Sequence, residues 1–310
     1  SVGKAAAGMA EAFERRIPSR ITEGIVLTKH LTKSALPDER YQIFQGGHPV
    51  PTEESIRGAE AILSFLEKAG EKDLVIFMIS GGGSALMAAP LMGISLKNYS
   101  DFCSAILASG ADIEEFNTIR KHLDQVKGGR LALKAAPARQ ITIILSDVVG
   151  SPPAVIASGP TVPDPTTYHD ALNILERYSG KVCFPPEIRD ILQQGASGCL
   201  PETAKANHSA FARSSIFLAA ENRTAALSAA NCAKGLGYSA EAVSENYTGE
   251  ASECGRKIAS YCSRLNKNQV LVFGGETTVH LTGTGHGGRN LEMALSAVRT
   301  MAEHPGCILV

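Results

Sequence analysis

The sequence has no tryptophan, and only 5% of its 310 residues are aromatic. Proteins hold single-stranded bases largely by stacking them on aromatic side chains, so this scarcity argues against such a role. An excess of either charge is also missing, since 30 Lys and Arg residues face 31 Asp and Glu residues and leave a net charge of -1. Without a basic surface, the chain is not expected to follow a nucleic-acid backbone.

The sequence shows no sign of a membrane span either. No apolar run approaches the ~20 residues that a spanning helix needs, and no signal segment is visible. The seven cysteines are odd in number and include no CxxC pair, which favours free thiols in a reducing compartment over disulfides or zinc. We therefore predict a cytoplasmic protein whose partners are neither membranes nor nucleic acids.

The chain is long enough for two ordinary domains, and both of its ends read as interrupted. The opening Val2-Gly3-Lys4 is typical of the end of a strand, and the closing stretch 307–310 is typical of a strand with nothing after it. We expect missing sequence on both sides. Proline and glycine concentrate in residues 184–207, which predicts one domain over 1–207 and a second, cut short at its end, over 208–310.

Short apolar runs alternate with helical patterns along most of the sequence. The predicted strands are residues 25–27, 74–79, 141–145, 216–219, 270–273, 278–282 and 307–310. Continuously apolar runs are typical of strands that are covered on both faces. The clearest predicted helices are residues 52–70, 223–237 and 290–301. This alternation predicts an α/β fold with a largely parallel sheet.

A glycine-rich turn follows the predicted strand 74–79. In this turn Ser80, Gly81, Gly82, Gly83 and Ser84 would bring backbone N–H groups and two hydroxyl donors close to an anion, where a helix begins. The turn is not a phosphate-binding loop of the Walker type, because no Gly-Lys-Ser/Thr follows it. A plain tight turn is the alternative.

Three cations are spaced so that one helix would collect them on one side. If the stretch 117–130 is a continuous helix, Arg120, Lys127 and Arg130 lie within roughly 80° of one another and can face an anion. A pair of glycines inside the stretch weakens that assumption. A solvated basic face is the alternative.

Further charged residues stand at the ends of predicted strands. Asp147 comes just after a strand, where it can hold Mg²⁺, accept a proton or cap the next element, and Glu276 follows another strand after two glycines. Arg289 and Asn290 open a helix after a glycine-rich loop, where an Arg can bind a carboxylate or phosphate in fork geometry. Lys4 stands where a strand meets an Ala-rich helix, so a phosphate there would meet an ammonium group and backbone amides.

Taken together, these stretches resemble the class II glycerate kinase family, whose C-terminal part is called the MOFRL domain. The matching segments, in family order, are VGKAAAGMA, GGHPVPTEES, ISGGGSALMAAP, FNTIRKHLDQVKGGRLA, LSDVVGSPPAVIASGPTVPDPTT and GGETTVHLTGTGHGGRNLEMAL. They cover nearly the whole chain, and six segments in order are far more specific than GGGSA alone.

The resemblance implies a Rossmann-like, mostly parallel first domain, a smaller mixed α/β MOFRL domain and an active site in the cleft. It also implies phosphorylation of D-glycerate with ATP and Mg²⁺, usually at the 2-hydroxyl, and leaves a homodimer as one option for assembly. The family's catalytic Lys and Arg correspond to Lys4 and Arg289, and its cleft carboxylates look like Asp147 and Glu276. Its phosphate-binding turn matches residues 81–84.

These correspondences and the spacing arguments together define a predicted site. The predicted catalytic residues are Lys4, Arg289 and Asp147; those for the nucleotide are Gly81, Gly82, Gly83, Ser84 and Lys127; those for glycerate are Arg120 and Asn290; and those for Mg²⁺ are Asp147 and Glu276.

Two other functions stay open at this point. Some family members carry the name hydroxypyruvate reductase, but no G-x-G-x-x-G with an acidic residue at the expected distance follows the early strands. A non-catalytic protein that senses sugar acids or nucleotides would keep the glycine turns and Arg289 without needing both carboxylates.

Overall fold

The computed structural model describes residues 1–30, 35–37, 39–147, 150, 152–181, 183–280, 283 and 285–310. The chain forms two compact units. Unit 1 comprises Ser1–Ser146 and Ser151–Ala219, and unit 2 comprises Asp147–Gly150 and Ala220–Val310. The structural units thus divide after Ala219, whereas the sequence predicts a domain boundary after residue 207, which stays a prediction.

The strands of unit 1 are parallel wherever their pairing is described. They are β1 (Gly24–Thr28), β2 (Tyr41–Gln45), β3 (Leu74–Ser80), β4 (Arg139–Leu145) and β5 (Ser214–Ala220). Strand β1 pairs with β2 and β3 pairs with β4, each in parallel, and β5 lies beside β4. Val2 forms parallel bridges to both Leu27 in β1 and Ile79 in β3, so the start of the chain joins the two sheets. The predicted α/β class is confirmed.

Several helices of unit 1 begin at a capping side chain. The helices of this unit are α1 (Ala6–Arg16), α2 (Glu53–Leu66), α3 (Gly83–Leu86), α4 (Leu96–Ala108), α5 (Ile113–His122), α6 (Arg130–Ala135), α7 (Tyr168–Tyr178) and α8 (Pro186–Ala196). Thr52 and Ser55 form a capping box at the start of α2, and Asp112 and Glu115 do the same for α5. These side chains satisfy backbone N–H groups that would otherwise have no partner.

A large apolar core of unit 1 lies where α4, α5, α7 and α8 meet. Its completely or almost completely buried members include Tyr99, Phe102, Ile119, Leu175 and Leu192.

Beside this core lies an ion pair that is completely buried. The Lys127 ammonium is 2.7 Å from an Asp124 carboxylate oxygen, and the Tyr99 hydroxyl donates to the same carboxylate at 3.0 Å. Burial lowers the pKa of Lys127 to about 8 against the opposing pull of Asp124. A pair of this kind is tolerated only while both partners are present and satisfied.

The stretch 117–130 is not one helix, so the predicted cationic stripe is wrong. Helix α5 ends at His122 and α6 begins at Arg130. Between them Gly128 and Gly129 adopt the left-handed φ angles of +55° and +77°, which only glycine adopts without strain. A Cβ on Gly129 would lie 2.7 Å from the Val162 carbonyl oxygen, so the close packing there requires glycine as well.

Unit 2 is a smaller α/β unit. Its strands β6 (Ser239–Glu250) and β7 (Gln269–Thr278) pair in parallel, with a register shift between Ala242 and Asn246. Its helices are α9 (Asn222–Gly235), α10 (Ala251–Ser260) and α11 (Arg289–Ala302). Helix α11 packs closely on α10, because a Cβ on Gly255 would overlap with the Met293 carbonyl group.

Two predicted strands of unit 2 have different outcomes. Residues 307–310 form no strand, so that prediction is wrong. The predicted strand 278–282 coincides with the structure only at Thr278, the last residue of β7, and its residues 281 and 282 lie outside the described part of the chain. Among the described residues, no helix combines the length and the apolar character needed to cross a membrane.

The buried ion pair leads to a stability prediction. Lys127→Met should lower the free energy of unfolding by about 3–5 kcal/mol, because Asp124 then remains as a buried charge without its partner. The matched control is Lys134→Met, which removes a lysine that pairs with Glu67 at 2.7 Å on the surface, and should cost less than about 1 kcal/mol. Urea unfolding measures both variants, and equal losses would contradict a structural role for Lys127.

Candidate active site

The start of the chain brings Lys4 to the glycine turn that follows β3. The Lys4 N–H donates to the Gly81 carbonyl at 2.9 Å, and the Ala5 N–H donates to the Ser80 hydroxyl at 3.0 Å. Gly3 makes this approach feasible, because its φ is +124° and a Cβ there would overlap with Ser80 Oγ. The structure therefore brings together Lys4 and residues 81–84, which the sequence predicted as parts of one site.

Two side chains cover one side of the glycine turn at Gly82. This residue has φ +79°, and a Cβ built on it would lie 2.9 Å from His48 Cδ2 and 3.1 Å from Lys4 Cε. The two side-chain atoms are thus no more than about 6 Å apart. Lys4 is exposed and His48 is half-buried, so a cation and an imidazole stand together at the turn.

The turn leads into a helix that is too short to contribute a large dipole. Helix α3 has only four residues, Gly83–Leu86, and a macrodipole grows by summing many aligned peptide units. The eleven-residue helix α1 begins two residues after Lys4. An anion at the turn would therefore depend on the Lys4 charge and on backbone N–H groups more than on α3.

Arg120 contacts the glycine turn from inside the protein. Its guanidinium donates to the Ser84 carbonyl at 2.6 Å and lies over the Phe116 ring, with Cζ 4.7 Å from the ring centroid. Only 7% of Arg120 is exposed. The contacts of Arg120 thus support the turn, and its predicted contact with glycerate stays a prediction that this burial disfavours.

Lys127 also points inward. Besides the ion pair with Asp124, its ammonium donates to the Met87 carbonyl at 2.8 Å, and none of the residue is exposed. The predicted contact of Lys127 with a nucleotide stays a prediction, and the complete burial of the ammonium argues against it. A lysine in this setting holds the segment after α3 in place.

The other predicted site residues belong to unit 2. Asp147 is half-buried, two residues beyond the end of β4, and the adjoining residues 148, 149 and 151 lie outside the described part of the chain. Glu276 in β7 forms an ion pair of 2.5 Å with Arg289, the first residue of α11, and both side chains are more than two-fifths exposed. Asn290, the next residue of α11, is also exposed. Glu276 and Arg289, which the sequence predicted for different roles, are therefore direct partners.

Three further residues at the turn were not predicted from the sequence. They are His48, Asn117 and Ser158. His48 lies in a loop between β2 and α2, and its sequence signals are the glycine and proline density of GGHPVP and the family resemblance of that segment. Ser158 donates to Asn117 Oδ1 at 2.9 Å and lies 2.8 Å from the Ser84 hydroxyl oxygen. These contacts join parts of the chain that are distant in sequence.

Unit 1 also contains a cavity away from the glycine turn. It has a volume of about 450 Å³, lies between β1 and β3, and is lined mainly by apolar residues such as Ile25, Phe77 and Leu131. Neither Lys4 nor residues 81–84 line it. Its apolar walls do not suit a phosphate, so the glycine turn remains the stronger candidate for an anion site.

The residues described here contain no group of three or more His, Cys, Asp or Glu side chains that could hold a metal ion. This finding is compatible with Mg²⁺, which proteins usually bind through one or two carboxylates together with substrate phosphates. Asp147 and Glu276 supply the donor type that Mg²⁺ prefers. To bind Mg²⁺, Glu276 would give up its ion pair with Arg289.

Comparison with known families gives two matches along the chain. The model described as "Domain of unknown function (DUF4147)" matches residues 1–193, and the model described as "MOFRL family" matches residues 269–310. The first match covers more than half of the chain.

Proteins that carry names are similar to nearly the whole of this chain. The D-glycerate 2-kinase of Thermotoga maritima is 42% identical over 100% of this chain and 72% of its own length. A protein of Agrobacterium vitis, provisionally named hydroxypyruvate reductase, is 42% identical over 95% of this chain and 66% of its own length. The crystal structure of glycerate kinase from Thermotoga maritima matches with a TM-score of 0.83 at 40% identity, covering 97% of this chain and 71% of that one.

Replacing glycine by alanine should change the free energy of unfolding in opposite directions at Gly82 in the turn and at Gly8 in α1. Gly82→Ala should lower the free energy of unfolding by about 1–2 kcal/mol, since alanine is strained at positive φ and its Cβ would crowd Lys4 and His48. Gly8→Ala, in α1 with nothing near the new Cβ, should raise it by about 0.5–1 kcal/mol. Chemical denaturation measures both, and a neutral Gly82→Ala would contradict the described turn.

Proposed function

This chain belongs to the glycerate kinase family, and on that premise we propose that it transfers a phosphoryl group from ATP to D-glycerate, giving 2-phosphoglycerate. The observation that carries the proposal is the position of Lys4. Its backbone N–H bonds to Gly81, and its side chain lies against Gly82, so a cation stands beside a turn with little side-chain bulk. Such a place suits the phosphates of a nucleotide.

In the proposed complex, the glycine turn and Lys4 hold the nucleotide phosphates. Phosphoryl transfer needs positioning and charge neutralisation more than covalent help from the protein. The Lys4 ammonium would offset negative charge on the phosphate oxygens, and backbone N–H groups of residues 81–84 would orient them. His48, half-buried beside Lys4, brings an imidazole to the same turn.

Arg289 and Asn290 are the proposed contacts for the second substrate. The Arg289 guanidinium is paired with Glu276 at 2.5 Å. The fork of an Arg matches a carboxylate or a phosphoryl group equally well, so Arg289 would exchange this partner for D-glycerate or for the moving phosphoryl group. The exchange would release the Glu276 carboxylate.

Asp147 and Glu276 are the residues that we propose for Mg²⁺. When bound, Mg²⁺ neutralises the charge that accumulates on phosphate oxygens during transfer. Asp147 is also the proposed acceptor for the proton of the substrate hydroxyl, since it is a half-buried carboxylate. The ATP and Mg²⁺ requirement, the cytoplasmic location and a homodimer all stay predictions.

The deciding experiment incubates the purified chain with D-glycerate, ATP and Mg²⁺, follows ADP, and identifies the product by phosphorus NMR. We expect 2-phosphoglycerate. A chain that instead consumes NADH with hydroxypyruvate would be a reductase, as the name of the Agrobacterium vitis relative suggests for that protein. Binding of ATP without any turnover would favour a non-catalytic sensor.

Removing either proposed catalytic cation should slow the reaction without unfolding the chain. Lys4→Met and Arg289→Met should each lower kcat by ~10²–10³-fold, because each withdraws a charge that stabilises the transferring phosphoryl group. The matched control is Arg299→Met, which removes an exposed Arg from the other end of α11 and should leave kcat unchanged. Normal turnover in the Lys4 or Arg289 variant would exclude that residue from the mechanism.

A further inference from the structure

The segment Ala157-Ser158-Gly159 has an unusual backbone. Ala157 has φ 51° and ψ 24°, Ser158 has φ 61°, and Gly159 has φ 60° and ψ 52°. Two successive residues with side chains are thus in the left-handed region, where a Cβ is strained. Such strain persists only where the surroundings over-determine it, and it concentrates at functional sites.

Backbone hydrogen bonds from Gly128 and Gly129 hold this segment. The Gly128 N–H donates to the Ser158 carbonyl at 3.1 Å, and the Gly129 N–H donates to the Gly159 carbonyl at 2.8 Å. Ser158 itself is completely buried, and Ala157 is 6% exposed. The segment is therefore fixed on one side by the backbone that leads into α6.

On its other side the segment faces the glycine turn. A Cβ built on Gly83 would lie 2.8 Å from the Ala157 Cβ, so the two backbones are in close contact. The Ser158 hydroxyl donates to Asn117 Oδ1 at 2.9 Å and lies 2.8 Å from Ser84 Oγ.

A hydroxyl group has a single proton, so the direction of this chain of hydrogen bonds is determined. Since the Ser158 proton goes to Asn117, the Ser84 hydroxyl donates to Ser158 Oγ. One turn along α5 from Asn117, Arg120 donates to the Ser84 carbonyl at 2.6 Å. Ser84 is thus held at its hydroxyl and at its carbonyl, and its backbone N–H is the donor that it can offer to a phosphate.

We propose that Ser158 is a positioning residue for nucleotide binding, which acts by orienting Ser84 and the glycine turn without touching the ligand. The left-handed backbone of residues 157–159 places the Ser158 hydroxyl between Asn117 and Ser84. The inference rests on the proposed function, because it assigns the glycine turn to the nucleotide and not to D-glycerate. Loss of the Ser158 hydroxyl releases Ser84 and weakens the nucleotide site alone.

The test compares two variants in which glycine replaces a residue with left-handed φ, so that each relieves backbone strain at its own position. Ser158→Gly removes the hydroxyl, and the matched control Ala157→Gly keeps it. Calorimetry should show that Ser158→Gly weakens binding of ATP with Mg²⁺ about ten-fold, the effect of one lost hydrogen bond near charged groups, while binding of D-glycerate is unchanged. Ala157→Gly should bind both like the unaltered chain.

A double variant separates positioning from a general loss of structure. If Ser158 acts through Ser84, Ser158→Gly should cause no further loss of ATP affinity in the Ser84→Ala background. Ser158→Ala serves as a second hydroxyl-free variant if Ser158→Gly unfolds, which circular dichroism and Tm would show.

Each outcome has a distinct meaning. Unchanged ATP affinity in the Ser158 variants, an equal loss in Ala157→Gly, or additive losses with Ser84→Ala would overturn the positioning role. An unaltered chain that binds ATP but forms no phosphoglycerate would overturn the proposed function and leave the calorimetric result valid. If the Ser158 variants bound D-glycerate more weakly but ATP normally, the turn would serve D-glycerate and the proposal would be overturned.

Discussion

The candidate site depends on how closely the backbone of Gly3 approaches the end of β3. Val2 bridges β1 and β3, and the next residue lies so near Ser80 that any Cβ would overlap with the Ser80 hydroxyl. This contact brings Lys4 to the glycine turn from a part of the chain that is remote in sequence. The same few residues therefore join two sheets and supply the exposed cation, so the fold and the chemistry share one constraint.

The inner side of the turn is equally constrained. Arg120 holds the Ser84 carbonyl, and Lys127 holds the Met87 carbonyl, while Asp124 balances the Lys127 charge. These cations are buried and bonded to protein atoms, so they give rigidity to the turn and its following segment. A rigid turn fits phosphoryl transfer, in which most of the rate comes from placing the reacting groups and surrounding them with fixed charges.

The sequence predicts the apolar strands and capped helices well, because their signals are local. Strand β3 and helix α2, which follows Thr52, lie close to where apolar runs and caps indicate them. Strand β6 carries polar residues along most of its length and gives no such signal. The inward orientation of Lys127 and the role of Ser158 depend on partners brought together by the fold. Ser158, for example, contacts Ser84, which lies 74 positions earlier in the sequence. Spacing along one helix could not reveal either, since α5 ends at His122 and two left-handed glycines precede α6.

A crystal structure of the chain with a non-hydrolysable ATP analogue and Mg²⁺ tests the role of the glycine turn most directly. We predict that the β- and γ-phosphate oxygens lie within hydrogen-bonding distance of Lys4 Nζ and of the backbone N–H groups of Gly82, Gly83 and Ser84. Phosphates bound away from this turn, with D-glycerate or nothing beside Lys4, would contradict it.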